Sequence, residues 1–199
     1  PVYFFLLAEK NGLYDRNILP SSRALQELIS SHASRYQTGI HPSWASYERP
    51  ALIKKEKELL QDISGKAVTK SRQHYIKMDM PGTYHLLLDA GITEDYSMGY
   101  GSINGFRASV ASAFYWYDLV NEKASKLLLY PFCFMDANSH YEQKYSAAQA
   151  YEEIMNYFNQ CKNAHATFIS IFHNNFLGTA KDFAGWKEMY ESFIAQVRQ

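Results

Sequence analysis

The chain has 199 residues, 47% hydrophobic and 16% aromatic, which suits one substantial core and a single domain over residues 1–199. Its 20 basic and 20 acidic residues cancel, and no basic stripe interleaved with aromatics occurs, so nucleic acid and anionic membranes are excluded as partners. No apolar run approaches the ~20 residues of a membrane span and no signal peptide is read, so the expected location is the cytoplasm.

The chain opens at Pro1 inside V-Y-F-F-L-L-A, which reads as a strand over residues 2–8 with no turn before it; the sequence is therefore expected to begin part-way into a longer protein. A turn-rich segment follows, and Pro20-Ser21-Ser22 marks a helix start with Leu25, Leu28 and Ile29 at helical spacing. Gln37–Ile40 reads as a strand ending in His41, Pro42, Ser43 and Trp44. Pro50 opens a helix closed by Gly65, with Leu52, Leu59, Leu60 and Ile63 inward and the run Lys54 to Glu58 facing water.

Residues 67–70 form the next expected strand, leading into Ser71-Arg72-Gln73-His74-Tyr75, and Pro81 begins a helix that Gly91 ends. A short strand at 92–95 precedes a loop punctuated by Gly99, Gly101 and Gly105. Apolar runs at 113–119 and 127–135 read as strands, the second stopping at Asp136. A helix is expected over 146–163, with Tyr151, Ile154, Met155 and Phe158 on one stripe. The run A-T-F-I-S-I-F-H-N-N at 166–175 reads as a buried strand with His173 at its carboxyl end, and a last helix covers 184–197. Cys133 and Cys161 fit reduced, buried thiols better than a disulfide framework.

Strand and helix alternate about five times, which argues for parallel βα units; a distorted (β/α) barrel is the first expectation and a doubly wound open sheet the second. No G-x-G-x-x-G loop supports the latter. The expected strand ends carry His41, Arg72 with His74, Asp95, Asp136, and His173 with Asn174. In a barrel such ends converge on one face, where imidazoles, carboxylates and an arginine suit a hydrolytic metal site. Each also has a plainer reading: a single strand-end histidine is commonly structural, Arg72 reads also as an ion-pair partner, and Asp136 equally as a turn or cap. Trp44, Tyr75, Tyr100, Phe106 and Trp116 lie in or beside the same loops, where stacking on sugar rings is a role for aromatics.

The segments G-I-H-P-S-W, S-R-Q-H-Y, E-D-Y-S-M-G-Y, G-F-R-A and F-I-S-I-F-H-N resemble the successive motifs of the polysaccharide deacetylases, in particular a divergent bacterial branch associated with surface-polysaccharide gene clusters. The resemblance covers nearly the whole chain. It implies a distorted (β/α)7 barrel lacking its first strand here, and a hydrolase that removes N-acetyl groups from sugar polymers with a divalent metal, usually zinc. By the same resemblance His41 looks like the first metal histidine, Arg72 like the arginine that holds the catalytic base, Asp95 like the acid that orients the catalytic histidine, and His173 like that histidine, which protonates the departing amine. Trp44, Tyr75, Arg107, Asp136 and Asn174 are expected to contact the N-acetylated carbohydrate.

Three departures accompany it. Ala45 stands where the family's second metal histidine would fall; His74, where the family has proline, is read as supplying the missing imidazole. The paired aspartates of the family's first strand would precede Pro1. A catalytically impaired sugar-binding relative, and a deacylase or amidohydrolase of small molecules, are the alternative readings.

Overall fold

The computed structural model describes residues 1–198, and its backbone groups into two compact units: Pro1–Ser97 with Phe114–Leu129, and Met98–Ala113 with the chain from Tyr130 onward. The first unit holds β1 (Val2–Phe5), α1 (Arg23–Arg35), β2 (Gln37–Ile40), α2 (Trp44–Glu48), α3 (Ala51–Ser64), β3 (Lys70–Ser71), α4 (Gly82–Asp89), β4 (Glu94–Asp95), β5 (Phe114–Asp118) and β6 (Lys123–Leu129). Its strands make one six-stranded sheet in the order β1-β2-β3-β4-β6-β5. Every neighbouring pair is parallel except β5 with β6.

The parallel part follows from the alternation of short strands with amphipathic helices, because a parallel return needs a crossover. Ile29 and Ala33 of α1, Ile53 and Leu60 of α3 and Leu87 of α4 are buried together with Ile40, Val68, Ile92, Leu127 and Leu129. Gly39 in β2 is fixed by its neighbours, since a Cβ there would stand 2.5 Å from the Phe4 ring and 2.9 Å from the Lys70 carbonyl oxygen. Gly65, at φ 67°, ends α3 in the left-handed conformation that glycine tolerates.

Two expectations for this unit are corrected. The charged run of α3 does not face water throughout: Glu56 is 4% exposed and Lys57 donates from Nζ to the Ala90 carbonyl at 2.6 Å. Glu56 follows Ile53 by three residues and precedes Leu60 by four, so it lies on the helix's inner stripe. The apolar run at 127–135 is not one strand either. It ends β6 at Leu129, breaks at Tyr130 and Pro131, and resumes as β7 (Phe134–Met135) in the other unit. β5 and β6 form an antiparallel hairpin whose turn hangs on Asp118, which accepts from Val120 N (3.0 Å), Asn121 N (3.2 Å) and Asn121 Nδ2 (2.7 Å); His85 Nε2 of α4 lies 2.7 Å from the same carboxylate. The Asn121 side chain foremost, with His85 behind it, holds that carboxyl well below the usual carboxylate range.

The second unit pairs β7 in parallel with β8 (Ser170–Ile171), and carries α5 (Ala147–Asn163) and α6 (Trp186–Val197). The strand expected over 166–175 is thus reduced to two residues of regular pairing. Ser146 begins α5 with a reciprocal cap, its hydroxyl accepting from Gln149 N while Gln149 Oε1 accepts from Ser146 N. The core is Phe134, Ala150, Ile154, Phe176, Trp186, Met189 and Phe193. Each large side chain so buried contributes about 1.5–3 kcal/mol. No helix among the described residues is long and apolar enough to cross a membrane.

Candidate active site

In the first unit β1, β2 and β3 run parallel and the polar residues follow their carboxyl ends. His41 comes directly after β2, and its Nδ1 donates to the Arg72 carbonyl just beyond β3. The His74 ring lies 4.8 Å from the His41 ring, centroid to centroid, and its Nδ1 stands 3.0 Å from Asp15 Oδ1. Asp15 belongs to the loop after β1 and is buried. It also accepts from the first backbone amides of α2, Trp44 N at 2.7 Å and Ala45 N at 3.2 Å. Glu56 secures the residue before them, accepting from Ser43 N at 2.9 Å and from Ser43 Oγ at 2.5 Å. Burial pushes the Glu56 carboxyl up, against the hydrogen bonds from Ser43.

An aromatic group adjoins the imidazoles. Tyr14 stacks on Trp44 at 3.9 Å, and Tyr75 meets both edge-on at 5.6 Å. Tyr75 is 60% exposed and holds φ at 56°, with Ile76 next to it at 52°. Left-handed backbone at a β-branched residue is a genuine outlier and costs about 1–3 kcal/mol. The His74–Ile76 turn is therefore held in place by its surroundings rather than by local preference.

Arg72 lays its guanidinium over the Phe4 ring at 4.9 Å. Asp95 is fully buried and accepts from Ser71 Oγ (2.7 Å), Ser97 N (2.9 Å) and Ser97 Oγ (2.9 Å). Desolvation outweighs these bonds and pushes its pKa up to about 6.

In the second unit the carboxylate on the His173 ring is Asp136, and this corrects the orienting role expected of Asp95. Asp136 Oδ1 lies 2.6 Å from His173 Nδ1, and Oδ2 accepts from His173 N at 2.6 Å. Asp136 is fully buried, and Ala137 N donates to it at 2.7 Å. Its carboxylate is thus engaged by His173 and the Ala137 amide. The His173 side chain is 34% exposed. Asn174 is exposed beyond it, and Arg107 donates from Nη1 to the Gly99 carbonyl at 3.2 Å.

The structure therefore brings His41, His74, Trp44 and Tyr75 together, and joins Asp136 to His173. Sequence reasoning missed Asp15, Tyr14 and Glu56. The available signals were an acid and an aromatic in the loop after the first strand, and a glutamate in register with Ile53 and Leu60.

A catalytic zinc centre uses three protein ligands. The imidazole pair is two groups, one short of that number, and among the described residues no group of three or more His, Cys, Asp or Glu is placed to hold a metal ion. Asp15 is engaged by two backbone amides and His74. The residues present fall short of a complete metal centre.

No family model matches the chain, and no curated protein matches it in sequence. Among solved structures it is similar to the crystal structure of a candidate polysaccharide deacetylase from Mycobacterium smegmatis, with a TM-score of 0.60 and 17% identity over 86% of this chain. The chain spans 60% of that protein's length. It shares with that protein a mixed α/β fold built on a mostly parallel sheet.

Proposed function

We propose that the chain is a deacetylase-like hydrolase that removes N-acetyl groups from a polysaccharide or surface-glycan precursor. The observation that carries this reading is the imidazole of His173, half-exposed and backed at 2.6 Å by the fully buried carboxylate of Asp136. The fold shared with a candidate polysaccharide deacetylase and the order of the sequence motifs support it.

In the proposed reaction water gives a proton to Nε2 of His173 as it adds to the acetamide carbonyl; the C–N bond then breaks, the acetyl group leaves as the acid, and the amine departs with the proton that His173 took up. Asp136 fixes the ring with Nδ1–H toward itself and stabilises the imidazolium, as a buried carboxylate does for any catalytic histidine. The protonated ring then delivers its proton from Nε2.

Zinc enters from the family resemblance, at His41 and His74. A protein ligand set one short predicts a loosely held ion. Zinc binding to the wild type, read by calorimetric titration, should be weak and should be lost in His41→Ala; no binding by the wild type takes the metal out of the reading. His173→Ala should lower turnover by about 10²–10⁴-fold with the fold intact.

The incomplete ligand set favours one second reading, a sugar-binding relative without catalysis. Glycan binding by the wild type with no acetate released at any zinc concentration would select it.

A further inference from the structure

A cavity of about 250 Å³ in the first unit, lined by neither His41 nor His74, has a chemistry of its own. Gln73 lines it and is 4% exposed, and among the described residues its side-chain Nε2 is buried with no hydrogen-bond partner. The Gln73 backbone N–H is spent on Ser97 Oγ at 2.8 Å, which fixes the residue at its root. A buried amide donor without an acceptor is costly, so a carbonyl oxygen entering the cavity gains what Gln73 Nε2 otherwise forfeits.

Lys77 lines the same cavity. Its ammonium lies over the rings of Trp44 (3.6 Å) and Tyr47 (4.6 Å), and among the described residues it has no carboxylate at ion-pair distance. Asp79 is the acidic member of the lining. The two charges cancel, which favours a neutral ligand with an acceptor for Gln73 and Lys77 and a donor for Asp79. Two hydroxyls are already engaged: Ser46 Oγ donates to the Ser43 carbonyl at 2.7 Å, and Thr83 Oγ1 accepts from Asp79 N at 2.9 Å. Ile53, Leu86 and Tyr47 supply apolar wall.

An acetamido group has that complement: a carbonyl oxygen, an N–H and a methyl, with no net charge. Pockets for drug-sized ligands run to about 300–1,000 Å³, so a cavity just below that range suits a smaller ligand, on the scale of a single sugar ring bearing such an arm. We infer that the Gln73–Lys77–Asp79 cavity binds the N-acetyl group of an intact hexosamine unit of the glycan, apart from the unit that is hydrolysed. The choice of sugar rests on the proposed function; the need for a neutral amide rests on the lining.

The test is titration of the chain with N-acetylglucosamine, glucosamine and acetate, followed by NMR at the backbone amides of Thr83 and Leu86, which line the cavity in the wild type and in both variants. A saturable shift with N-acetylglucosamine at a Kd of about 1–10 mM is expected, with none from the other two. Gln73→Met and, at the less buried position, Lys77→Met should each weaken binding by about 3–10-fold. No saturable shift, equal binding of glucosamine or acetate, or unchanged binding in both variants overturns the inference. Binding is read without turnover, so a chain that takes up the sugar and releases no acetate sinks the proposed activity alone.

Discussion

Asp95 sits among two serines with no exposure to water, and desolvation holds its pKa near 6 against an ordinary 3.8. Because the folded pKa is raised, its contribution to stability is complete below about pH 4 and is lost as pH rises through about 6. Asp95→Asn keeps the shape and removes the charge. It should match the wild type near pH 4 and exceed it by about 1–3 kcal/mol above pH 7, read from denaturant melts across that range. An unchanged pH slope in the variant would mean that Asp95 is ionised at no cost.

Cys133 is buried, and burial first, with Cys161 beside it, pushes its thiol up to about 12. Reactivity follows the thiolate. Native protein should therefore label slowly with a thiol reagent at pH 8 and quickly once unfolded, whereas fast native labelling would contradict the burial. The polar strand-end residues were legible one at a time, but their partners were not. Asp95 and Asp136 look alike in sequence, and only the pairing of β7 with β8 decides which carboxylate reaches His173.

At the scale of elements, β2 and α2 carry the sharpest expectations. Gly39→Ala would press a methyl into the Phe4 ring and the Lys70 carbonyl, and overpacking of that kind costs about 1–3 kcal/mol. Glu56→Ala would strip the acceptor from Ser43 N and Oγ ahead of α2, at a similar cost of about 1–3 kcal/mol. Thermal melts read both, and a melting temperature within a degree of wild type would contradict the packing described.

The parallel run from β1 to β4 could be read from the alternation of elements, because β1, β2 and β3 are each followed by a helix with its own start before the next strand. The β5–β6 hairpin could not. Its second strand merges in sequence with β7, and Pro131, which cannot donate to a ladder, was the residue that marked the break. Glu56 was hidden by its charged neighbours, though its spacing from Ile53 and Leu60 placed it inward.

For the molecule as a whole, balanced charge and an aromatic-rich composition favour a neutral, hydroxylated ligand over a polyanion. The proposed activity gives that ligand a chemistry, and His173 with Asp136 carries it. Release of acetate from a chitin-type oligosaccharide tests this most directly, with the wild type, His173→Ala and Asp136→Asn compared at equal folded concentration. The account predicts release by the wild type, a fall of about 10²–10⁴-fold in His173→Ala and a loss of at least about tenfold in Asp136→Asn. Equal release by all three proteins would contradict it.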